Sequence, residues 1–217
     1  MKENNEIQGK TKIDISVATY IKKNNTNNAS LYVPNIENCK QTDVEYIILV
    51  ESPHIEEIES KIPLSGKTGK MVAKFLFGKD DISIGKLVKE CNPSKTNDKK
   101  KAIINVCNIP LQVIDSKNEK LVNKDELLPF RSNCQIDTVL EEKLLIAINN
   151  YENARMIIVC GRFARTYFEK IQDRLKKSRI ESLYVPHPSY NHWSFIYQYK
   201  DDISTLKRIF SREKKNG

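Results

Sequence analysis

The stretch Tyr46-Ile47-Ile48-Leu49-Val50-Glu51-Ser52-Pro53-His54 decides the fold. Its first five residues form an unbroken apolar run of strand length, rich in β-branched side chains. A strand with one wet face would alternate apolar and polar residues, so a continuous run fits a strand buried on both faces. The run then stops in a carboxylate, a hydroxyl, a proline and an imidazole. A bare connection would more cheaply be Gly or Asn. Chemistry placed at the end of a buried strand is the feature to explain.

Working outward, the same grammar repeats. Lys67 to Phe77 reads as a helix with Met71, Phe75 and Leu76 on one face. A basic loop follows, then a second strand over residues 102–109 (AIINVCNI). Residues 137–151 form a helical pattern in which Val139, Leu140, Leu144 and Ile148 align. A third strand ends in Cys160-Gly161 and passes directly into a helix over 162–177. Residues 181–186 read as a short fourth strand and 201–210 as a closing helix. Strands alternating with helices predict an α/β fold: one three-layer α/β/α domain around a central, mostly parallel four-stranded sheet. The domain is expected to span residues 45–217. Residues 1–44, with an amphipathic piece at Ile13 to Ile21 and a polar loop after it, read as an N-terminal helical and polar extension packed on the domain.

The composition bounds the partners. Lys and Arg total 36 against 28 Asp and Glu, a net charge of +8 over 217 residues. Clustered cations gain by releasing phosphate counterions, so the excess is compatible with nucleic acid, although a coding bias toward Lys, Asn and Ile gives the same excess. No apolar stretch approaches the roughly 18 residues that cross a bilayer. The start lacks the apolar core of a signal peptide, and five scattered cysteines without a Cys-x-x-Cys pair suit a reducing cytoplasm. The three histidines, 54, 187 and 192, have no paired ligand spacing, so no metal and no other cofactor is expected. A monomer is expected.

In open α/β sheets ligands bind beyond the carboxyl ends of the strands. Three strand ends here are chemically special: Glu51 to His54, Asn105 to Pro110, and Pro186-His187-Pro188-Ser189. Glu51 there can stabilise a developing cation or polarise a water; a helix cap or surface ion pair is the ordinary alternative. His187 lies between two prolines that fix its backbone, which suits a preorganised hydrogen-bond donor as well as it suits a surface turn. Asn105 puts an amide in an apolar strand, where it costs free energy unless paired; its donor and acceptor pattern matches a nucleobase edge, with Asn108 competing for the role. Residues 63–70 (PLSGKTGK) tempt toward a phosphate loop, but position 61 is Lys where that loop needs Gly, and residues 55–62 separate it from the strand. Ser65 and Lys67 at a helix start can instead hold a phosphodiester. Trp193, in the loop Ser189-Tyr190-Asn191-His192-Trp193, can enter a nucleic-acid groove or pack under the last helix.

These pieces, in this order, resemble the uracil-DNA glycosylase superfamily. Val50-Glu51-Ser52-Pro53-His54 is similar to its first motif, a strand followed by Gly-Glu-Ala-Pro-Gly or Gly-Gln-Asp-Pro-Tyr-His. Pro63 to Gly69 looks like the Pro-Phe-x-Gly-x-x-Gly segment of the iron–sulfur branch, Ile104 to Cys107 like the strand with the pyrimidine-reading Asn, and Ile157 to Ala164 like the strand–Gly–helix element. His187-Pro188-Ser189 matches the closing motif, with Tyr190 as in the iron–sulfur branch. The likeness covers roughly residues 45–210.

The resemblance implies a monofunctional DNA glycosylase acting on uracil or a modified pyrimidine flipped out of single- or double-stranded DNA, in repair or in defence against modified foreign DNA. It implies catalysis by Glu51 and His187, base contacts from Asn105, His54, Ser52 and Leu64, and DNA contacts from Ser65, Lys67, Ser189, Tyr190, Asn191 and Trp193. Four departures bear on activity. Val50 replaces a Gly, and Ser52 stands where one branch keeps an Asp. Leu64 replaces the Phe that stacks on the base, leaving Phe130 or Phe75 for that role. The cluster cysteines are missing, with Cys134 alone near one position. These changes keep open a catalytically silent member that binds DNA or a protein, while residues 65–70 keep open a nucleotide-binding phosphotransferase.

Overall fold

The structure is a computed structural model that describes residues 32–54, 56–78, 81–91, 93, 98–110, 138–176, 180–189, 192–193 and 200–210. Within these residues a single sheet runs through the molecule. Its strands are β1 (Ile36–Glu37), β2 (Tyr46–Val50), β3 (Lys101–Asn105), β4 (Met156–Cys160) and β5 (Glu181–Val185), in the order β1-β3-β2-β4-β5. Strands β3, β2, β4 and β5 are mutually parallel, and β1 pairs antiparallel with β3. The sheet therefore has five strands rather than four. The addition comes from residues 36–37, inside the segment read as an extension; a two-residue strand is too short to show a period-2 pattern.

The apolar runs become central strands because both of their faces are covered. From β2, Ile47 and Leu49 enter one cluster, while Tyr46, Ile48 and Val50 enter the other. The first cluster packs α4 (Thr138–Asn149) and α5 (Gly161–Ile171) through Leu140, Leu144, Ile148, Phe163 and Phe168. The second packs α2 (Lys67–Phe77), α3 (Ile84–Glu90) and α6 (Lys200–Phe210) through Val72, Leu76, Ile84, Val88, Leu206 and Ile209. A short α1 (Glu56–Ser60) follows β2. Two expected faces shift slightly. The buried stripe of α2 is Val72, Ala73 and Leu76, leaving Met71 and Phe75 part-exposed, and Val139 on α4 is 46% exposed. The second strand is shorter than its apolar run, ending at Asn105, after which the chain bends through residues 106–109. The amphipathic piece at residues 13–21 lies outside the described residues. Among the described residues, no helix is long and apolar enough to cross a membrane.

Topology fixes where a ligand can sit. The chain leaves β2 for β3 on one side, then crosses to β4 and β5 on the other. The connections therefore part between β2 and β4, and the crevice at such a switch point opens beyond the carboxyl ends of the strands.

Candidate active site at the carboxyl edge of the sheet

Parallel pairing delivers the three special strand ends to one edge. Val50 is in register with Asn105, and the loops beyond them stay paired: the Val106 amide donates to the Val50 carbonyl at 2.9 Å and the Cys107 amide to the Glu51 carbonyl at 3.0 Å. Cys160, the last residue of β4, is in register with Val185, two residues before His187.

Glu51 is buried at 6% exposure, and its Oε2 lies 4.0 Å from His187 Nε2. On its other side the His187 ring meets Ser189, whose backbone amide reaches Nδ1 at 3.2 Å and whose hydroxyl lies 2.7 Å from it. An amide can only donate, so Nδ1 accepts and the proton of the neutral ring sits on Nε2, the nitrogen facing Glu51. His187 thus presents a donor into the crevice, held from behind by its own loop. Trp193 reinforces that loop: its indole Nε1–H donates to the Pro186 carbonyl at 2.8 Å, and the ring is 2% exposed. Trp193 is placed inside, as a clamp on the histidine loop, rather than on the surface as a wedge would be.

Gly161 completes the support. Its φ is +85°, a left-handed conformation that side chains rarely adopt, and a Cβ there would lie 2.7 Å from His187 Cβ. The β4–α5 turn can pass under the histidine only as glycine.

Asn105 shows the most telling geometry. It is 4% exposed, and among the described residues neither Nδ2 nor Oδ1 has a hydrogen-bond partner. Its backbone amide is satisfied by Asn35 Oδ1 at 3.1 Å. Asn108, the competing candidate, is spent structurally: its Nδ2 donates to the Val33 carbonyl at 2.9 Å and to Asn35 Oδ1 at 2.8 Å. An amide sealed from water without partners forfeits on the order of 1–3 kcal/mol. Asn105 is therefore an amide whose pairing capacity is held in reserve. A cavity of about 280 Å³ beside the end of β3 shares Asn105 and is also lined by Asn35, Asn108 and Lys143; Glu51 and His187 are not on its wall.

The segment after β2 forms the remaining wall. Leu64 is buried with a φ of +55°, and the loop carrying it presses onto two helices that have no Cβ at the contact. A Cβ on Gly69 would lie 1.7 Å from the Leu64 carbonyl oxygen, and one on Gly85 would lie 2.0 Å from that of Pro63. The space above Gly69 is taken up by the chain's own backbone and leaves no room there for a ligand. Ser65 is buried and shares a 2.6 Å hydrogen bond with the Ser60 hydroxyl. Lys67 opens α2 in the open, with its amide 3.1 Å and its Nζ 3.4 Å from the Glu56 carboxylate. The Lys67 amide holds the Glu56 carboxyl below the usual range. Glu56 thus occupies the helix start where a nucleotide phosphate would bind, and no phosphate cradle of the nucleotide-binding kind forms. His54, partly exposed, accepts the Glu56 amide at Nδ1 over 3.3 Å, and Ser52 is part-buried beside it. Phe75 packs at the margin of the second core cluster. Tyr190, Asn191, Phe130 and Cys134 lie outside the described residues.

Sequence reading missed Glu57. It sits in the acidic run Glu56-Glu57-Ile58-Glu59, which looks like a wet helix face, yet it is 3% exposed. Burial pushes its carboxyl up to about 7, against the pull of the backbone amides of Leu64, His54 and Gly66. Asn35 and Ser60 were also silent in the sequence, since each works by holding a neighbour.

No family model and no curated protein matches the chain. Among solved structures, it is similar to the solution structure of a "putative Uracil DNA glycosylase" from Methanosarcina acetivorans, with 15% identity and a TM-score of 0.46 over 83% of this chain and 96% of the other.

Proposed function

We propose that the chain is a monofunctional DNA glycosylase that hydrolyses the N-glycosidic bond of a flipped-out uracil or modified pyrimidine. The observation that carries this reading is Asn105, a buried amide with both hydrogen-bonding groups open, at a strand end in register with the residue before Glu51, which in turn faces His187. A pyrimidine edge supplies a donor and an acceptor together, which is what the side chain lacks. Bond cleavage leaves negative charge on the departing base, collecting at O2, and positive charge on the sugar. His187 Nε2–H donates to O2, and the Glu51 carboxylate stabilises the sugar cation or orients the attacking water. Water adds to the sugar carbon, and the base leaves with the proton that water gives up.

Leu64 and His54 shape the pocket in place of an aromatic stack, so uracil is the first substrate to try and 5-substituted pyrimidines the next. Ser65 and Ser189 would contact flanking phosphates, Ser65 only after parting from Ser60. The test is base release from single- and double-stranded oligonucleotides bearing uracil, mismatched thymine, hypoxanthine and 5-substituted pyrimidines, with alkali revealing abasic sites. His187→Ala is expected to lower single-turnover release by about 10² or more, as loss of an oxyanion donor does. Tight binding of uracil-containing or abasic DNA without release from any substrate would instead establish the silent binding protein.

A further inference from the structure

Glu57 belongs to neither the proposed chemistry nor the core, yet it is the most deeply buried carboxylate among the described residues. Its surroundings explain why it is kept. The His54 amide donates to its Oε2 at 3.3 Å, Gly66 packs against its side chain, and the amides of Leu64 and Gly66 favour its charged form. These three amides come from two separate loops, one leaving β2 behind Glu51 and one entering α2. Helix α1, which carries Glu57, is only five residues long and has few means of its own to fix either loop. Leu64 is meanwhile held at a φ of +55°, a conformation that persists only where its surroundings impose it.

We propose that Glu57 is a positioning residue: its carboxylate ties the loop of His54 to the loop of Leu64, and so sets the wall against which the flipped base rests. This rests on the glycosylase reading for its consequence, but not for its geometry. A carboxylate has acceptor sites for all three amides. A glutamine keeps one oxygen and turns an NH2 group toward the other donors, so it fits the space and fails the function.

The test uses Glu57→Gln in the full chain, with two readouts. Amide hydrogen exchange at His54, Leu64 and Gly66 is expected to accelerate tenfold or more, while Ile47 to Leu49 in β2 keep their protection. Single-turnover base release should fall tenfold or more, with affinity for abasic DNA within about threefold of wild type. A merely structural role would instead loosen the core amides, or lower both parameters together. Unchanged exchange at the three amides would overturn the proposal, as would lost protection with release within twofold of wild type. Wild-type protein that releases no base overturns the glycosylase reading separately, and the exchange data still decide whether Glu57 joins the two loops.

Discussion

Asn105 and Gly161 each place a cost where a fold built only for stability would not. The Asn105 amide is buried without partners. Gly161 takes a left-handed conformation with His187 against its Cα. Gly161→Ala adds a methyl group 2.7 Å from His187 Cβ, so the histidine or the turn must shift. Release is expected to fall by roughly 10², the scale of losing the donor itself, with stability lowered by about 1–2 kcal/mol; single-turnover kinetics and thermal melting check both. Full activity in that variant would free His187 from its proposed position. At this scale the sequence was partly legible. Glu51, Asn105 and His187 stand out because a carboxylate, an amide and a proline-flanked imidazole sit where apolar strands end. Glu57 and Asn35 were not legible, because Glu57 serves the backbone of the loops on either side of its helix and Asn35 holds the Asn105 amide 70 residues away.

At the scale of elements, the parallel strands and the longer helices follow from their apolar periods, and α2 has the bounds its pattern predicts. The misses are short pieces. β1 has two residues, α1 five and α3 seven, all shorter than the window over which a period can be read. The opposite edge of the sheet shows what purely structural polar burial looks like. Lys101, 3% exposed at the start of β3, donates from Nζ to the Ile209 carbonyl at 2.8 Å near the end of α6. Lys101→Met removes that bond while keeping most of the stem's packing. It is expected to lower stability by about 1–3 kcal/mol, seen as a lower Tm, with base release by the folded protein unchanged because the site lies at the far ends of the strands. Reduced release at full folding would place Lys101 in the functional network.

Across the whole molecule the two ends of the sheet differ: Lys101 at the amino end of β3 bonds α6, and the carboxyl ends carry Glu51, Asn105 and the loop of His187. One group at the carboxyl end couples stability to pH. Burial raises Glu57 from 4.5 to about 7 in the fold. The charged group acting on it is the Glu56 carboxylate of the same helix, which itself faces the His54 ring on the preceding loop and Lys67 at the start of α2. Burial outweighs the amides, so stability is greatest with the carboxyl protonated, full below about 4.5 and lost as pH rises through about 7, while the ionised form that accepts at both oxygens is the one present above that window. Denaturant melts across that window should show stability falling with rising pH more steeply for wild type than for Glu57→Gln; parallel profiles would mean an unshifted Glu57. Asn105 stands at this same carboxyl edge, and its open amide is the proposed reader of the base. The measurement that tests this central claim most directly is single-turnover base release by Asn105→Leu, read beside its melting temperature. Leucine fills the space without the unmet amide, so the account predicts release lowered by 10² or more, DNA affinity nearly kept, and a melting temperature higher by about 2–4 °C per kcal/mol recovered. Wild-type release from a less stable Asn105→Leu protein would contradict it, since the amide would then be holding the fold and not reading a base.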